Sequence, residues 1–486
     1  MRVSRAVAWA LVAVAAGATT VAAQATSGSG RRCNWDYTGE RSFSAKDPVT
    51  TKYNTFLAGG VLFTCRGQDI TIRADSAELY DPSGTYLLIG NVRYQEPRIT
   101  IDAARATYTL IDEKLVAEQN VHARSTNGSE MRGPRAIYYR AVAGVRDVSR
   151  MDAEGRPLFT FIEVDSMGRK SDPVTLLAQR VTSIGDSLFH AGGQVEITRP
   201  DMIALADSAL MNNELEFARL MRNPRIVSRG ERPFNLTGRV IDLFSRDEKL
   251  ERVIAVDSAH AHSDDLDLVS DTIDLRVEEE ELSRAIAWGP SRALATTPER
   301  TIEADSLDIY MPGQRLRDVH AIGRAYAETI PDTLKLRSDE RDWLRGDTLV
   351  ASFDSVATAD SSRSPPLREL FAVGNAASYY QVPSGDGPLA PPSLNYVRGT
   401  SITVAFGVGE VQTVTVHEQA AGMFLEPVAD TSAARRDTTA RDSTATPPDS
   451  TAPPPVKVPP PAPAPSGPPA SRSPAMLPAT EGGRSR

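Results

Sequence analysis

The chain has 486 residues, of which 41% are hydrophobic and 24% charged, with a formal net charge of −9. That is ample length for a large core. The mild acidity, with no basic stripe interleaved with aromatics, argues against a nucleic-acid partner.

The first residues read as an export signal, residues 1–25. Arg2 and Arg5 precede an uncharged stretch from Ala6 to Ala23, with small residues at Val21-Ala22-Ala23 and Ala23-Gln24-Ala25. The stretch is long enough to be borderline for an uncleaved membrane anchor. Its Ala-rich rather than Leu-rich composition favours cleavage, and no Cys at the cleavage site points to a lipoprotein. An N-terminal segment, residues 26–54, follows. The chain has two cysteines, Cys33 and Cys65. In an oxidising compartment such an even pair is most simply a disulfide, here tying the N-terminal segment to the start of the first repeat.

Residues 55–425 carry a repeat. Around Asp75, Ile72 lies three before, Ala74 one before, Ala77 two after and Leu79 four after. The same spacing recurs around Asp207, Asp271, Asp305 and Asp347. It falls, without the aspartate, around Ala104, Pro134, Gln179, Arg239 and Thr400, with Gln179 the loosest copy. Most of these ten copies are 28 to 34 residues apart, the mark of an array. Alternation of apolar and polar residues is the strand signal, and here it slips by one residue at Asp75-Ser76. A slip would turn later side chains to the wrong face unless the backbone bulges or bends. The expected element is therefore a strand that turns a corner and keeps one apolar stripe around it. Asp followed by Ser or Thr suits the corner, because these side chains can bond backbone groups left unpaired there.

Each copy is followed by a second apolar run, often beside Gly or Asn, such as Leu87-Leu88-Ile89-Gly90-Asn91-Val92 or Gly374-Asn375-Ala376. Turn formers such as Asp81-Pro82-Ser83-Gly84 lie between. Each unit is then about two strands, and the array roughly twenty antiparallel strands. Asn213 to Met221 could pass as a helical turn or two, but it occupies the place of a second strand. The stretch Ser355 to Pro366 and the loop Pro383 to Pro392 read as insertions. Residues 426–486 form a Pro/Ser/Thr/Ala-rich tail, with fourteen of the 34 prolines between Pro447 and Pro478. Such composition reads as disordered and partly polyproline II; fully stretched, the proline region reaches on the order of 100 Å.

Segments such as Ile72-Arg73-Ala74-Asp75-Ser76-Ala77-Glu78-Leu79-Tyr80 followed by Gly90-Asn91-Val92 resemble the OstA-like (organic solvent tolerance) repeat. So does Ile302-Glu303-Ala304-Asp305-Ser306-Leu307-Asp308-Ile309-Tyr310 followed by Gly323. That repeat builds the periplasmic bridge of the lipopolysaccharide transport system and the N-terminal domain of its outer-membrane translocon. The resemblance covers residues 55 to 425. It implies an all-β fold, an elongated open β-jellyroll: a folded-over antiparallel sheet with an apolar slot. It further implies a periplasmic, outer-membrane-associated conduit carrying lipopolysaccharide or a related glycolipid, acyl chains inside and sugar head outside. Partners would be other OstA-like proteins or copies of itself, joined end to end through sheet edges. Two departures stand out: the array is longer than the small bridge proteins, and the chain lacks the C-terminal barrel expected of a translocon.

On this reading the slot candidates are Ile72, Ala74, Leu79, Ile101, Tyr108, Leu236, Ile241, Leu243, Leu268, Ile273, Leu275, Ile302, Leu307 and Ile309. Small inward residues such as Ala77, Ala106, Ala206, Ala209, Gly238 and Ala304 would leave volume for acyl chains, whose burial gains about 0.8 kcal/mol per CH₂. The bland alternative is a closed, dry core in a non-transporting structural or scaffolding protein of the cell envelope. A transmembrane β-barrel needs an apolar outer face, whereas the faces opposite the stripe carry Arg73, Glu78, Asp274, Arg276 and Asp308. A polysaccharide-processing β-solenoid would use the recurring aspartates as a catalytic cluster, but at bends they read as structural. His260 and His262, with Asp264 and Asp265 close by, could ligate a metal but read better as a solvated strand end. No Ser-His-Asp constellation, phosphate loop or CxxC pair is visible. The expectation is a non-enzyme without cofactor or metal.

Overall fold

The computed structural model describes residues 30–162, 172–229, 233–247, 249–279, 281–330, 338–354, 365–383, 390–407 and 410–427. The described residues all lie in the first of two units, residues 1–427. The expected signal and nearly all of the tail lie outside the described residues. So do most of Ser355 to Pro366 and of the loop after Pro383.

The first unit is all-β: twenty-eight strands in one sheet, with a single 3₁₀ turn at Pro312–Gln314 among the described residues. The strands form twenty-two rungs, because six rungs are each broken into two strands at a bend. Rungs 1 to 8 are Trp35–Thr38 with Arg41–Lys46, Tyr53–Cys65, Thr71–Tyr80, Thr85–Glu96, Ile99–Thr109, Lys114–Ser125, Glu130–Tyr139, and Arg150–Glu154 with Leu158–Phe161. Rungs 9 to 15 are Val174–Leu177 with Arg180–Ile184, Leu188–Thr198, Met202–Asn212, Phe217–Met221 with Arg225–Ser228, Asn235–Thr237 with Val240–Arg246, Lys249–His262 and Asp267–Glu278. Rungs 16 to 22 are Glu281–Thr296, Arg300–Tyr310, Asp318–Thr329, Asp342–Phe353, Leu367–Val382, Ser393–Gly407, and Glu410–His417 with Ala421–Leu425. Every rung pairs antiparallel with the one before and the one after it. The segment 213–221 is a turn followed by a strand of rung 12, not a helix.

The ten sequence copies are the bends of the ten odd rungs from 3 to 21. The bends of the even rungs are built differently. There the register shifts so that two residues oppose one central residue, as Gly59-Gly60 and Gly90-Asn91 both oppose Asp75; rung 16 differs, with residues 289–292 opposite Asp305. The paired residues adopt positive φ: 79° and 45° at Gly90-Asn91, 65° and 54° at Gln119-Asn120, 83° and 48° at Gly323-Arg324, 77° and 50° at Gly374-Asn375. Asn tolerates this region better than most side chains, and glycine pays no penalty there. At Gly90 a second reason applies, since a Cβ would stand 2.3 Å from the Asp75 carboxylate. The slip is thus a β-bulge shared by neighbouring rungs.

The array also starts earlier than residue 55. Rung 1 bends at Gly39-Glu40, and Glu40 packs against Gly59 as Asp75 packs against Gly90. Ser42 and Ser44 stand where the other copies have apolar residues, because this half of the edge rung is exposed.

Each rung has two arms separated by the bend, and the arms fold onto one another. Rings from opposite arms meet: Phe63 stacks on Tyr86 at 5.4 Å, Trp35 meets Tyr108 edge-on at 5.4 Å, Tyr94 lies 5.8 Å from Tyr138, and Phe161 lies 4.8 Å from Phe189. These partners sit two to four rungs apart, so the arms cross at an angle, as twisted sheets do.

Candidate functional site: the inner face and its closures

All fourteen slot candidates sit on odd rungs and belong to one apolar cluster. Ile72, Ala74 and Leu79 lie on rung 3, Ile101 and Tyr108 on rung 5, and Leu236, Ile241 and Leu243 on rung 13. Leu268, Ile273 and Leu275 lie on rung 15, and Ile302, Leu307 and Ile309 on rung 17. Thirteen of them are buried, and Ile302 is partly covered. They line both arms, as the unbroken stripe requires.

The expected slot is closed. Leu236, Ile241, Ile273 and Leu307 are 0% exposed, and facing side chains fill the space between the arms. The described depressions are lined mainly by polar and charged residues, one around Arg156, Gln194, Asp207 and Asn223, the other around Asp69, Gln95, Glu96 and Arg124. The small inward residues therefore act as spacers that let the arms approach. Small side chains alone do not distinguish an empty slot from a close contact.

The bends carry polar chemistry on the outside. Asn91 donates to Asp75 at 2.9 Å, Asn223 to Asp207 at 3.2 Å, Asn375 to Asp347 at 3.2 Å, and Arg324 to Asp305 at 2.6 Å. Asp271 accepts from the Ser291 backbone N–H and, at 3.3 Å, from its hydroxyl. At rung 13 the roles are swapped: Arg239 donates to Asp257 of rung 14 at 3.4 Å. The aspartates therefore bind mostly side chains of the next rung rather than backbone orphans. The Arg324 hydrogen bond holds the Asp305 carboxyl below its usual range. Each aspartate is held at its own bend by a residue of the next rung.

The open side of the fold, where the arm tips face each other, is clasped at its N-terminal end. Cys33 and Cys65 are disulfide-bonded, fixing residues 30–34 to the first-arm tip of rung 2. The same segment bonds the second-arm tips. The Cys33 N–H donates to Glu113 at 2.7 Å, Arg32 donates to the Ile111 carbonyl at 3.0 Å, and Arg140 donates to the Arg31 carbonyl at 2.7 Å. Beneath it Arg140 and Glu113, each 3% exposed, form an ion pair at 2.8 Å. Tyr108 donates to the same Glu113 at 2.6 Å. Burial opposes the charge on Arg140, yet the Glu113 hydrogen bond and charge hold its pKa above the ordinary value. Burial pushes the Tyr108 hydroxyl well up. Charges this buried are tolerated only when paired and hydrogen-bonded. The disulfide is as the sequence leads one to expect; the polar part of the clasp is not legible there, because Glu113 and Arg31 lie 27 and 109 residues from Arg140, with no local motif.

Two other tip carboxyls are stressed. Burial raises the Glu96 pKa, against the hydrogen bonds it accepts from Tyr138 and Tyr94. Burial likewise raises that of Asp342, against the Gln381 N–H at 2.9 Å. On the outer face, His260 and His262 meet at Asp267 of rung 15 rather than at Asp264 or Asp265.

The two sheet edges expose apolar side chains. Phe43 is 67% exposed at the first edge; Met423, Phe424 and Leu425 are each more than half exposed at the last. No protein-family model matches this sequence, and no curated protein matches it.

Proposed function

We propose that the protein is a lipid-binding conduit of the bacterial envelope, carrying lipopolysaccharide or a related glycolipid between membranes. The observation that carries this reading is the single apolar face kept continuous from rung 2 to rung 21 and around the bends between. At about 4.8 Å per rung it runs for roughly 100 Å along the ladder. A globular enzyme has no use for so long and uniform a face, whereas acyl chains do. The Cys33–Cys65 disulfide suits an oxidising compartment such as the periplasm. The unpaired edges, with Phe43 at one and Phe424 at the other, suit end-to-end pairing with like proteins.

Because the arms are in contact, a lipid must enter by parting them. Parting costs least where no aromatic rings interlock across the arms and where Ile302, Ala261 and Ala327 are only partly covered, at rungs 14 to 18. The test is purification from the native host followed by analysis of co-extracted lipid, with photo-crosslinking probes at Leu236 and Ile302. Glycolipid adducts at these positions are the expected result. Absence of bound lipid and of adducts would move the assignment to the second reading, a structural envelope protein. The complete burial of Leu236 and Leu307 favours that reading.

A further inference from the structure

We propose that His260, His262 and Asp267 form a binding site for a divalent transition cation of the zinc class. The sheet itself builds the site. His260 and His262 alternate on one strand and so share the outer face, while Ala259 and Ala261 turn inward. Asp267 is the cross-strand partner of His262. Three ligands thus come from two paired strands of rungs 14 and 15, not from loops, which fixes their spacing.

The donor atoms already converge. His260 Nε2 lies 2.5 Å and His262 Nδ1 3.0 Å from the same Asp267 oxygen, and all the donor atoms lie within 4.8 Å of one another. Tetrahedral zinc with bonds of about 2.0–2.1 Å sets its ligand atoms roughly 3.4 Å apart. Small side-chain rotations therefore replace two hydrogen bonds with three metal bonds. Two imidazoles and a carboxylate are a donor set that favours zinc, copper or nickel over magnesium or calcium. The side chains are 43%, 58% and 40% exposed, so an ion can reach them and its remaining positions face solvent. Charge favours the cation as well. Asp264 and Asp265 occupy the connecting turn beside Asp267. The flanking partners Asn235, Thr237 and Thr296 are neutral. The site stands on the outer face, so it is independent of what the inner face holds.

The test uses the full-length chain without an affinity tag, stripped with chelator and dialysed against zinc chloride, with bound metal measured by mass spectrometry. Cobalt is the spectroscopic probe. The expected result is about one zinc per chain and a cobalt visible spectrum of a nitrogen–oxygen site. Both are lost in the double variant H260A/H262A and in D267N, and both are kept in H190A. These positions are exposed, and circular dichroism of each variant verifies the sheet. Zinc content well below one per chain, or uptake unchanged in H260A/H262A and D267N, would overturn the site.

Discussion

The two halves of the ladder share one bend geometry and differ in what fills it. Between rungs 1 and 10 the buried interior holds nine aromatics: Trp35, Phe63, Tyr86, Tyr94, Tyr108, Tyr138, Phe159, Phe161 and Phe189. From rung 13 onward the buried aromatic among the described residues is Phe353, and the face is built from Ile, Leu, Val and alanines such as Ala255, Ala287, Ala293, Ala304 and Ala325. A buried aromatic covers about 150–250 Å² and gains further from ring contacts, whereas alanine adds little area. The first half is thus stapled by rings that interlock across the arms, then clasped by the buried Glu113–Arg140 pair. The second half is held by smaller contacts and carries no such clasp among the described residues. One repeat can thus make both a ring-stapled segment and a lightly packed one.

The strongest way to break this comparison is Glu113→Ala. It leaves the Arg140 charge buried and alone, which costs about 3–5 kcal/mol. Hydrogen exchange with denaturant unfolding should show protection lost in rungs 1 to 7 and retained from rung 14 on. An even loss along the chain would mean that the halves are one cooperative block.

A finer probe is to overfill each half at an equivalent position two residues before an even-rung bulge, Ala117→Leu on rung 6 and Ala287→Leu on rung 16. Both alanines are buried. Extra methylenes in a tight core cost about 1–3 kcal/mol. The first substitution should reach that range, and the second should fall clearly below it if the arms can part there. Equal costs in chemical denaturation would remove the distinction.

The smallest expected effect concerns the tips. Glu96 and Asp342 have pKa values raised by burial, one in each half. A carboxyl raised in the folded state contributes stability below its unfolded pKa and loses it as pH rises through the folded value. Glu96→Gln and Asp342→Asn should therefore raise the melting midpoint slightly at pH 7, with the gain fading towards pH 4. A gain confined to one variant would locate desolvation in that half alone.

Much of this architecture is legible in the sequence, because its main signal is local. The slip at Asp75-Ser76 marks a bend, and Gly90-Asn91 or Gly374-Asn375 marks the left-handed pair that answers it. The same pair is not legible at Gln119-Asn120 or Glu418-Gln419, where ordinary residues take positive φ because the neighbouring rungs impose it. The bend at Glu40 is not legible because an edge rung has no need of an apolar stripe. The polar part of the clasp is not legible because Arg31, Gln68, Glu113 and Arg140 meet only after the arms fold. The candidate face was readable as a face. Whether it encloses space depends on how closely two arms approach, and Ala287 or Ala304 has the same pattern in either case.

Among the described residues each rung pairs only with its sequence neighbours, and this has a consequence for size. The molecule grows like a crystal in one dimension. Inserting one unit of about thirty residues adds two rungs, roughly 10 Å of span, and asks nothing new of the rest. Length is then a quantity that gene duplication can set in steps, and the chain serves as a ruler whose graduations are its bends.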